Sequence, residues 1–231
     1  MHVKAVTFDT GGTILDWHGG TSAAFARVGA RHNVQHDWHA VANDYRRLSM
    51  KGIVGQVQPD FNMDDAHRSA LDDVLARHGL AHIGPAERDE LFLAWHRLSA
   101  WPGFVAAQER IRKVLPVVSF TMLPVALVVD VSRQNGIGWD AIISCEMHGY
   151  YKPHPQAYLT VAHWLDMNPQ EILMAACHNF DLDAARGCGF RTAFVRRPHE
   201  WGPAGPPDPV PNPACDIIVD DFDALADLLL A

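Results

Sequence analysis

Cysteine is scarce in this chain. Cys145, Cys177, Cys188 and Cys215 are the whole set, and no two stand at Cys-x-x-Cys spacing. That argues against a zinc ribbon or a dithiol redox site and fits reduced thiols in or near a core. Long apolar runs are missing too. No window holds ~18 uninterrupted apolar residues, so no membrane span is expected. Basic charge is in deficit, with 19 Lys and Arg against 27 Asp and Glu and a formal net charge of −8. Such a chain is a poor partner for nucleic acid or an anionic membrane. The 14 histidines include no His-Glu-x-x-His pair, so no metal site is expected from them. The opening MHVKAVTFD lacks a signal-peptide pattern, and a cytoplasmic protein is expected. No internal repeat is visible.

What the chain does have is two alternating textures. Residues 3–8 are β-formers, and the same texture returns at 114–120, 141–145, 172–177, 192–195 and 217–219. Helical patterns lie between the later runs, at 123–134, 155–165 and 181–188. Two of them open on proline in the first turn, where its missing donor is harmless. Short apolar runs separated by helices of about ten residues imply βαβ units and a parallel sheet. Residues 17–100 carry no such strands. Trp38, Val41, Tyr45 and Leu48 fall at helical spacing, as do Ala70, Leu71, Val74 and Leu75, then Leu91, Trp95 and Leu98. The expected architecture is α/β: a Rossmann-like parallel-sheet core, 1–16 and 101–231, with a helical cap domain, 17–100, inserted after the first strand. The stretch 51–61 is expected to cross between helices. PHEWGPAGPPDPVPNP, dense in Pro and Gly, is expected to be an irregular surface excursion before a last strand and helix.

In open parallel sheets, ligands bind beyond the carboxyl ends of the strands. The first run ends at Asp9, with Thr13 past a Gly-Gly turn. The second ends near Ser119 and Thr121. Tyr150-Tyr151-Lys152-Pro153 follows the third, and His178-Asn179-Phe180-Asp181 ends the fourth. Two carboxylates, hydroxyls and an ammonium on one sheet edge make a reaction centre by residue type.

FDTGGT, Ser119, Lys152-Pro153 and Asn179-x-Asp181, in that order, resemble the four motifs of the haloacid dehalogenase-like hydrolase superfamily. The helical segment after the first motif resembles that superfamily's cap, and the resemblance covers essentially the whole chain. YYKPHPQAY, AACHNFDLDAARGCGFRTAFVRRPHEWGP and FDT-x-GT-x-x-DW are similar to the type II 2-haloacid dehalogenases. This resemblance implies covalent catalysis. Asp9 would displace halide from carbon, and water would hydrolyse the resulting ester. Lys152 would hold Asp9 ionised. Thr13 and Ser119 would donate to Asp9 or to the substrate carboxylate. Asp181 would orient Lys152 or the hydrolytic water. Arg46, in Asn43-Asp44-Tyr45-Arg46-Arg47, would cradle the halide, with Arg47 in reserve. Thr10, Gly11, Phe120, Tyr158 and Asn179 are the remaining implied substrate- or halide-site positions. No cofactor is implied, and the expected partner is a small carboxylate. A homodimer is compatible with the several tryptophans of the insert.

Gly11 divides two readings. Phosphatases of the superfamily typically carry a second Asp there, which protonates the leaving alkoxide. Loss of a general acid typically costs ~10²–10⁴ in rate, whereas a halide leaves without a proton. Gly11 therefore favours the dehalogenase, although dehalogenases usually place an aromatic wall at this position, which Trp17 or Tyr45 would have to supply. Further departures stand at Phe120, Ala175 and Cys177. The alternatives are a Mg²⁺-dependent phosphatase acting on an activated ester or anhydride, and a ligand-binding homologue with weakened turnover.

Overall fold

The computed structural model describes residues 3–231. Its centre is one sheet built from β1 (Ala5–Phe8), β2 (Val117–Thr121), β3 (Ala141–Ser144), β4 (Ile172–Ala176), β5 (Arg191–Val195) and β6 (Ile217–Val219). All neighbouring strands pair in parallel, in the order β3-β2-β1-β4-β5-β6. β1, β2 and β4 are buried along their whole length. A parallel strand covered on both faces reads as a continuous apolar run, which is why the sequence announces these strands clearly. The chain builds outward from β1 through β2 to β3, then crosses back to place β4 on the other side of β1. β1 and β4 therefore flank the point where strand order reverses, and a crevice opens beyond their carboxyl ends.

After β1 the chain leaves the sheet for α1 (Trp17–Arg31), α2 (Trp38–Ile53), α3 (Met63–Arg77) and α4 (Pro85–Leu93). Each start has a local cause. Asp16 caps α1 by accepting from Gly19 N at 2.8 Å, and Asp37 caps α2 by accepting from Ala40 N at 3.0 Å. Asn62 and Asp65 form a capping box on α3, and α4 opens on Pro85. Leu91, Trp95 and Leu98 do not share one helix as their spacing predicts. α4 stops at Leu93, and Trp95–Arg97 is a single 3₁₀ turn that drives the Trp95 indole fully inside. Back in the sheet layers come α5 (Phe104–Arg112), α6 (Val125–Asn135), α7 (Pro155–Trp164), α8 (Asn179–Gly187) and α9 (Phe222–Leu230). No helix is long and apolar enough to cross a membrane among the described residues.

Backbone hydrogen bonds join residues 17–100 to the sheet layers at their ends and again after α2. The ends come together where Leu15 bridges Ala100, Asp16 N donates to Ser99 O at 2.9 Å and Trp101 N donates to Ile14 O at 2.8 Å. Far from there, the segment after α2 lies antiparallel to the segment before α7. Gly55 N donates to Lys152 O at 2.9 Å, Tyr151 N to Gln56 O at 2.9 Å and Gln58 N to Gly149 O at 2.6 Å. Within the insert, Gly29 of α1 lies against the Trp38 indole, where an added Cβ would overlap the ring. Alanine is the better helix former by about 1 kcal/mol, yet we expect Gly29→Ala to destabilise the protein by about 1–3 kcal/mol through overpacking. A lower urea midpoint at unchanged m-value would show it.

Candidate active site

Asp9 is the first residue beyond β1. Its backbone N–H donates to Ala175 O at 3.0 Å, so the crevice between β1 and β4 fixes it directly. The chain then turns through Gly11 and Gly12, the latter at φ +94°. A side chain is strained at that φ, and a Cβ on Gly12 would overlap Glu200 Oε1. The turn returns Thr13 beneath Asp9. Thr13 Oγ1 accepts from Cys177 N at 3.0 Å and donates to Asp9 Oδ2 at 2.8 Å.

Lys152 has no solvent exposure at all. An ammonium has three protons and must place each of them when buried. Here they go to Asp181 Oδ2 at 2.8 Å, Phe120 O at 2.9 Å and Asp9 Oδ1 at 3.4 Å. Asp181 is equally buried, and its other oxygen accepts from Tyr158 Oη at 2.6 Å. Burial would lower the Lys152 pKa, but Asp181 and Asp9 outweigh it and raise it, so the ammonium stays charged. Burial would raise Asp9; Lys152, His178 and Thr13 outweigh that and hold its carboxyl well below the usual carboxylate range. Asp181 moves the other way. Its burial and the Asp9 charge prevail over Lys152 and Tyr158, and its pKa is raised.

A second chain of charges meets Asp9 from the β4 side. His178 Nδ1 lies 3.3 Å from Asp9 Oδ2, and Nε2 lies 3.0 Å from Glu200 Oε1. Glu200 is buried and also accepts from Trp17 Nε1 at 3.0 Å. Burial opposes the charged imidazole, but Cys177, Glu200 and Asp9 prevail and raise the His178 pKa well above its ordinary value. Burial also raises the Cys177 thiol, so at neutral pH the anions acting on His178 are Glu200 and Asp9.

Above Asp9 sits a cavity of about 20 Å³, room for about one water. Asp9, Gly11, His178 and Arg46 line it together with Met50, Met63, Met122, Leu123 and Phe180. Arg46 comes from α2, is buried, and lies over both Trp17 and Trp95 at 5.5 Å from each ring. Among the described residues it forms no ion pair. Burial lowers its pKa against the raising pull of Glu200 and Asp9, but a guanidinium keeps its proton. A buried cation without an ion-pair partner facing a cavity is a place for an anion. Arg47 is exposed and pairs with Asp44 at 3.0 Å.

Comparison with known proteins shows the family. A family model for haloacid dehalogenase-like hydrolases matches residues 3–189. The chain belongs to the haloacid dehalogenase-like hydrolases. It is 29% identical over 205 residues to the (S)-2-haloacid dehalogenase of Xanthobacter autotrophicus, covering 84% of this chain and 76% of that one. Its fold matches the crystal structure of a defluorinating L-2-haloacid dehalogenase at TM-score 0.92 and 38% identity, covering 99% of this chain and 96% of that one. A second L-2-haloacid dehalogenase structure matches at TM-score 0.90 and 29% identity, over 99% of both chains.

Several expected site residues of this hydrolase lie elsewhere than the motifs imply. Ser119 does not reach Asp9. Its Oγ is 2.8 Å from Thr10 Oγ1, and both side chains are fully buried with each other, outside the cavity lining. Phe120 and Tyr158 do not line the cavity either. Phe120 supplies a carbonyl and a ring face to Lys152, the ring 4.2 Å from Nζ, and Tyr158 stands behind Asp181. Asn179 turns away to the proline-rich segment, donating to Val210 O at 2.9 Å and accepting from Asn212 N at 2.8 Å. That segment is irregular, as its prolines require, but it is not wholly a surface feature, because Glu200 is buried beside His178. His178 and Glu200 are the residues that sequence reasoning missed. The signal available was Gly12, whose missing side chain leaves the space that Glu200 fills.

No aromatic wall replaces the one Gly11 lacks. Tyr45 packs on Phe25 and Trp95, and Trp17 stacks on Trp95 beneath Arg46. Leu123 and the Arg46 guanidinium take that space, at 3.6 and 3.5 Å from where a Gly11 Cβ would stand. A Mg²⁺ bridging Asp9 and Asp181 does not fit this donor set. The Lys152 ammonium already stands between those carboxylates, and Tyr158 takes the second oxygen of Asp181. Cys177, His178 and Glu200 each bring a possible ligand atom within 4.8 Å of the others. They are instead spent on one another and on Trp17 as hydrogen bonds.

Lys152→Met strands two buried carboxylates and should cost about 3–5 kcal/mol of stability. Adding Asp181→Asn should return part of that loss in denaturant unfolding. Gly11→Ala should keep most of the activity, since a methyl group there meets only ordinary contacts. Gly11→Phe should displace the Arg46 guanidinium and lower kcat/KM by roughly 10² or more, the scale of a misplaced binding group.

Proposed function

We propose that this chain is a hydrolytic dehalogenase of short 2-haloalkanoic acids, of the L (S) hand, working through an ester on Asp9. One observation carries the reading. A carboxylate held ionised and an unpaired buried guanidinium, Asp9 and Arg46, line the same small cavity, with no second acid at Gly11. In the first step an Asp9 oxygen attacks the carbon bearing the halogen. The carbon–halogen bond breaks, its electrons leave with the halide, and Arg46 receives the anion. Oδ1 suits the attack, since its one protein contact is the long one to Lys152, while Oδ2 faces both Thr13 and His178. Halides are very weak bases, so this step needs no proton donor, and the glycine at position 11 costs it nothing. In the second step water attacks the Asp9 carboxyl carbon and releases the 2-hydroxy acid.

Met50, Met63 and Met122 supply soft, polarisable surface for the halogen and the short alkyl part. The cavity as it stands holds about one water, so even a two-carbon acid enters only as the methionine side chains give way, and the shortest acids require the least displacement. Fluoroacetate belongs among the substrates because the 38% identical relative is named for defluorination. The reading needs no metal: the substrate brings a single carboxylate charge, and Lys152 already supplies the cation beside Asp9. Residues 17–100 are the proposed cap over this site, in keeping with the meeting of their two ends.

The expected result is halide release from chloroacetate, fluoroacetate and L-2-chloropropionate at a rate unchanged by EDTA. Asp9→Asn should abolish it, and L-2-chlorobutanoate should react at least about tenfold more slowly than L-2-chloropropionate, the scale of one extra methylene in a tight pocket. Wild-type protein that releases no halide, or Asp9→Asn that releases it undiminished, would remove the proposal. Phosphate release dependent on Mg²⁺ would move the chain to the phosphatase side of the superfamily.

A further inference from the structure

We infer that His178, held by Glu200, is the general base that hydrolyses the Asp9 ester, and that formation of the ester is what arms it. The inference rests on the dehalogenase reading above. It begins with where each acid lies. Asp181, the acid that the motif order suggests for this task, has each oxygen engaged in the interior, accepting from Lys152 and from Tyr158 at 2.8 and 2.6 Å. It is also 1% exposed and lines no part of the cavity. His178 lines the cavity with Asp9, and its Nδ1 stands 3.3 Å from Asp9 Oδ2. A water able to attack the Asp9 carboxyl carbon from the cavity is within reach of that nitrogen.

The groups facing His178 make it a conditional base. Asp9 lies on the Nδ1 side, Glu200 and the Cys177 thiol lie on the Nε2 side, and the Phe180 ring packs 5.7 Å away. While Asp9 is an anion, the imidazole sits between two carboxylates and carries a proton on each nitrogen. It cannot act as a base in that state. Alkylation converts Asp9 into a neutral ester and removes one of the two anions. The Nδ1 proton then departs to solvent, and Glu200 keeps the remaining proton on Nε2.

The neutral imidazole accepts a proton from water as the water oxygen bonds to Cγ of Asp9. The bond from Cγ to the alkyl-bearing oxygen breaks, and that oxygen takes the second proton of the attacking water, carried until then on the Cγ hydroxyl, to become the hydroxyl of the product. Asp9 returns as a carboxylate and His178 as an imidazolium. The proton lost on alkylation is the one proton that hydrolysis of a carbon–halogen bond must release, so the cycle balances. Glu200 is a positioning residue. It fixes the tautomer, and Gly12 is the glycine whose missing side chain lets it approach.

The test uses chloroacetate in excess over enzyme, with three readouts in the first turnover: halide, proton uptake or release by an indicator dye, and the mass of the Asp9 peptide after acid quench. Asparagine at position 178 keeps a donor towards Asp9 and cannot take a proton. For His178→Asn we expect one halide per site, no accompanying proton, and an Asp9 peptide carrying the ester, with ester decay slowed ~10²–10⁴-fold as for loss of a general base. Wild-type enzyme should release its proton together with the halide. Glu200→Gln should also accumulate ester at full halide burst, which a merely structural role would not produce. Ester decay at the wild-type rate in His178→Asn overturns the inference, as does loss of the halide burst, which would place His178 in the alkylation step. A wild-type proton that lags behind the halide overturns it too, because His178 would then act as a fixed charge. If wild-type enzyme releases no halide, the dehalogenase reading falls first and this inference falls with it.

Discussion

The Lys152 ammonium, placed between two carboxylates where no water reaches, is the constraint around which the rest of this structure is arranged. A cation taken wholly out of water is costly, and only well-placed acceptors offset the cost. Those acceptors come from three different strand ends. Asp9 follows β1, the Phe120 carbonyl belongs to β2, and Asp181 lies in the first turn of α8 after β4. Strand order brings the three to one edge. If β4 did not cross back beside β1, Lys152 would lack one of its partners. The fold and the charge cluster thus depend on each other, and neither is explained by local propensity alone.

The charges around Asp9 also divide the work of the site. Lys152 holds one oxygen and Thr13 with His178 the other, so the carboxylate stays ionised despite its burial. Arg46 stands across the cavity without a carboxylate of its own. The result is an anion that can attack facing a cation that can receive what leaves. An ammonium in place of a divalent ion suits chemistry in which the leaving group needs neither a proton nor a metal.

Much of this was legible in the sequence because buried parallel strands and motif order are local signals. All six strand runs became strands, and Asp9, Thr13, Lys152, Asp181 and Arg46 gather around the crevice or directly behind it. What escaped was set by side-chain direction. Ser119 and Thr10 satisfy each other, and Asn179 finds backbone partners in the 208–212 segment; no spacing rule reveals such choices. Glu200 escaped for a different reason. It stands in a stretch whose prolines and glycines exclude regular structure, and irregular backbone is ordinarily placed at the surface. Burial of a single carboxylate there depends on a partner 22 residues earlier in the chain, His178, and on space left by Gly12.

The pairing of residues 55–58 with 149–152 bears on how the site can open. Residues 17–100 are tied to the sheet layers by more than their two ends: by the hydrogen bonds from Gly55, Tyr151 and Gln58, and by side-chain pairs such as Asn62 with Glu146 and His96 with Asp130. At about 0.5–1.5 kcal/mol each, the three backbone bonds are one part of that hold. One of them is made by the carbonyl of Lys152 itself. Residues 17–100 are therefore hydrogen-bonded directly to the backbone that carries the ammonium.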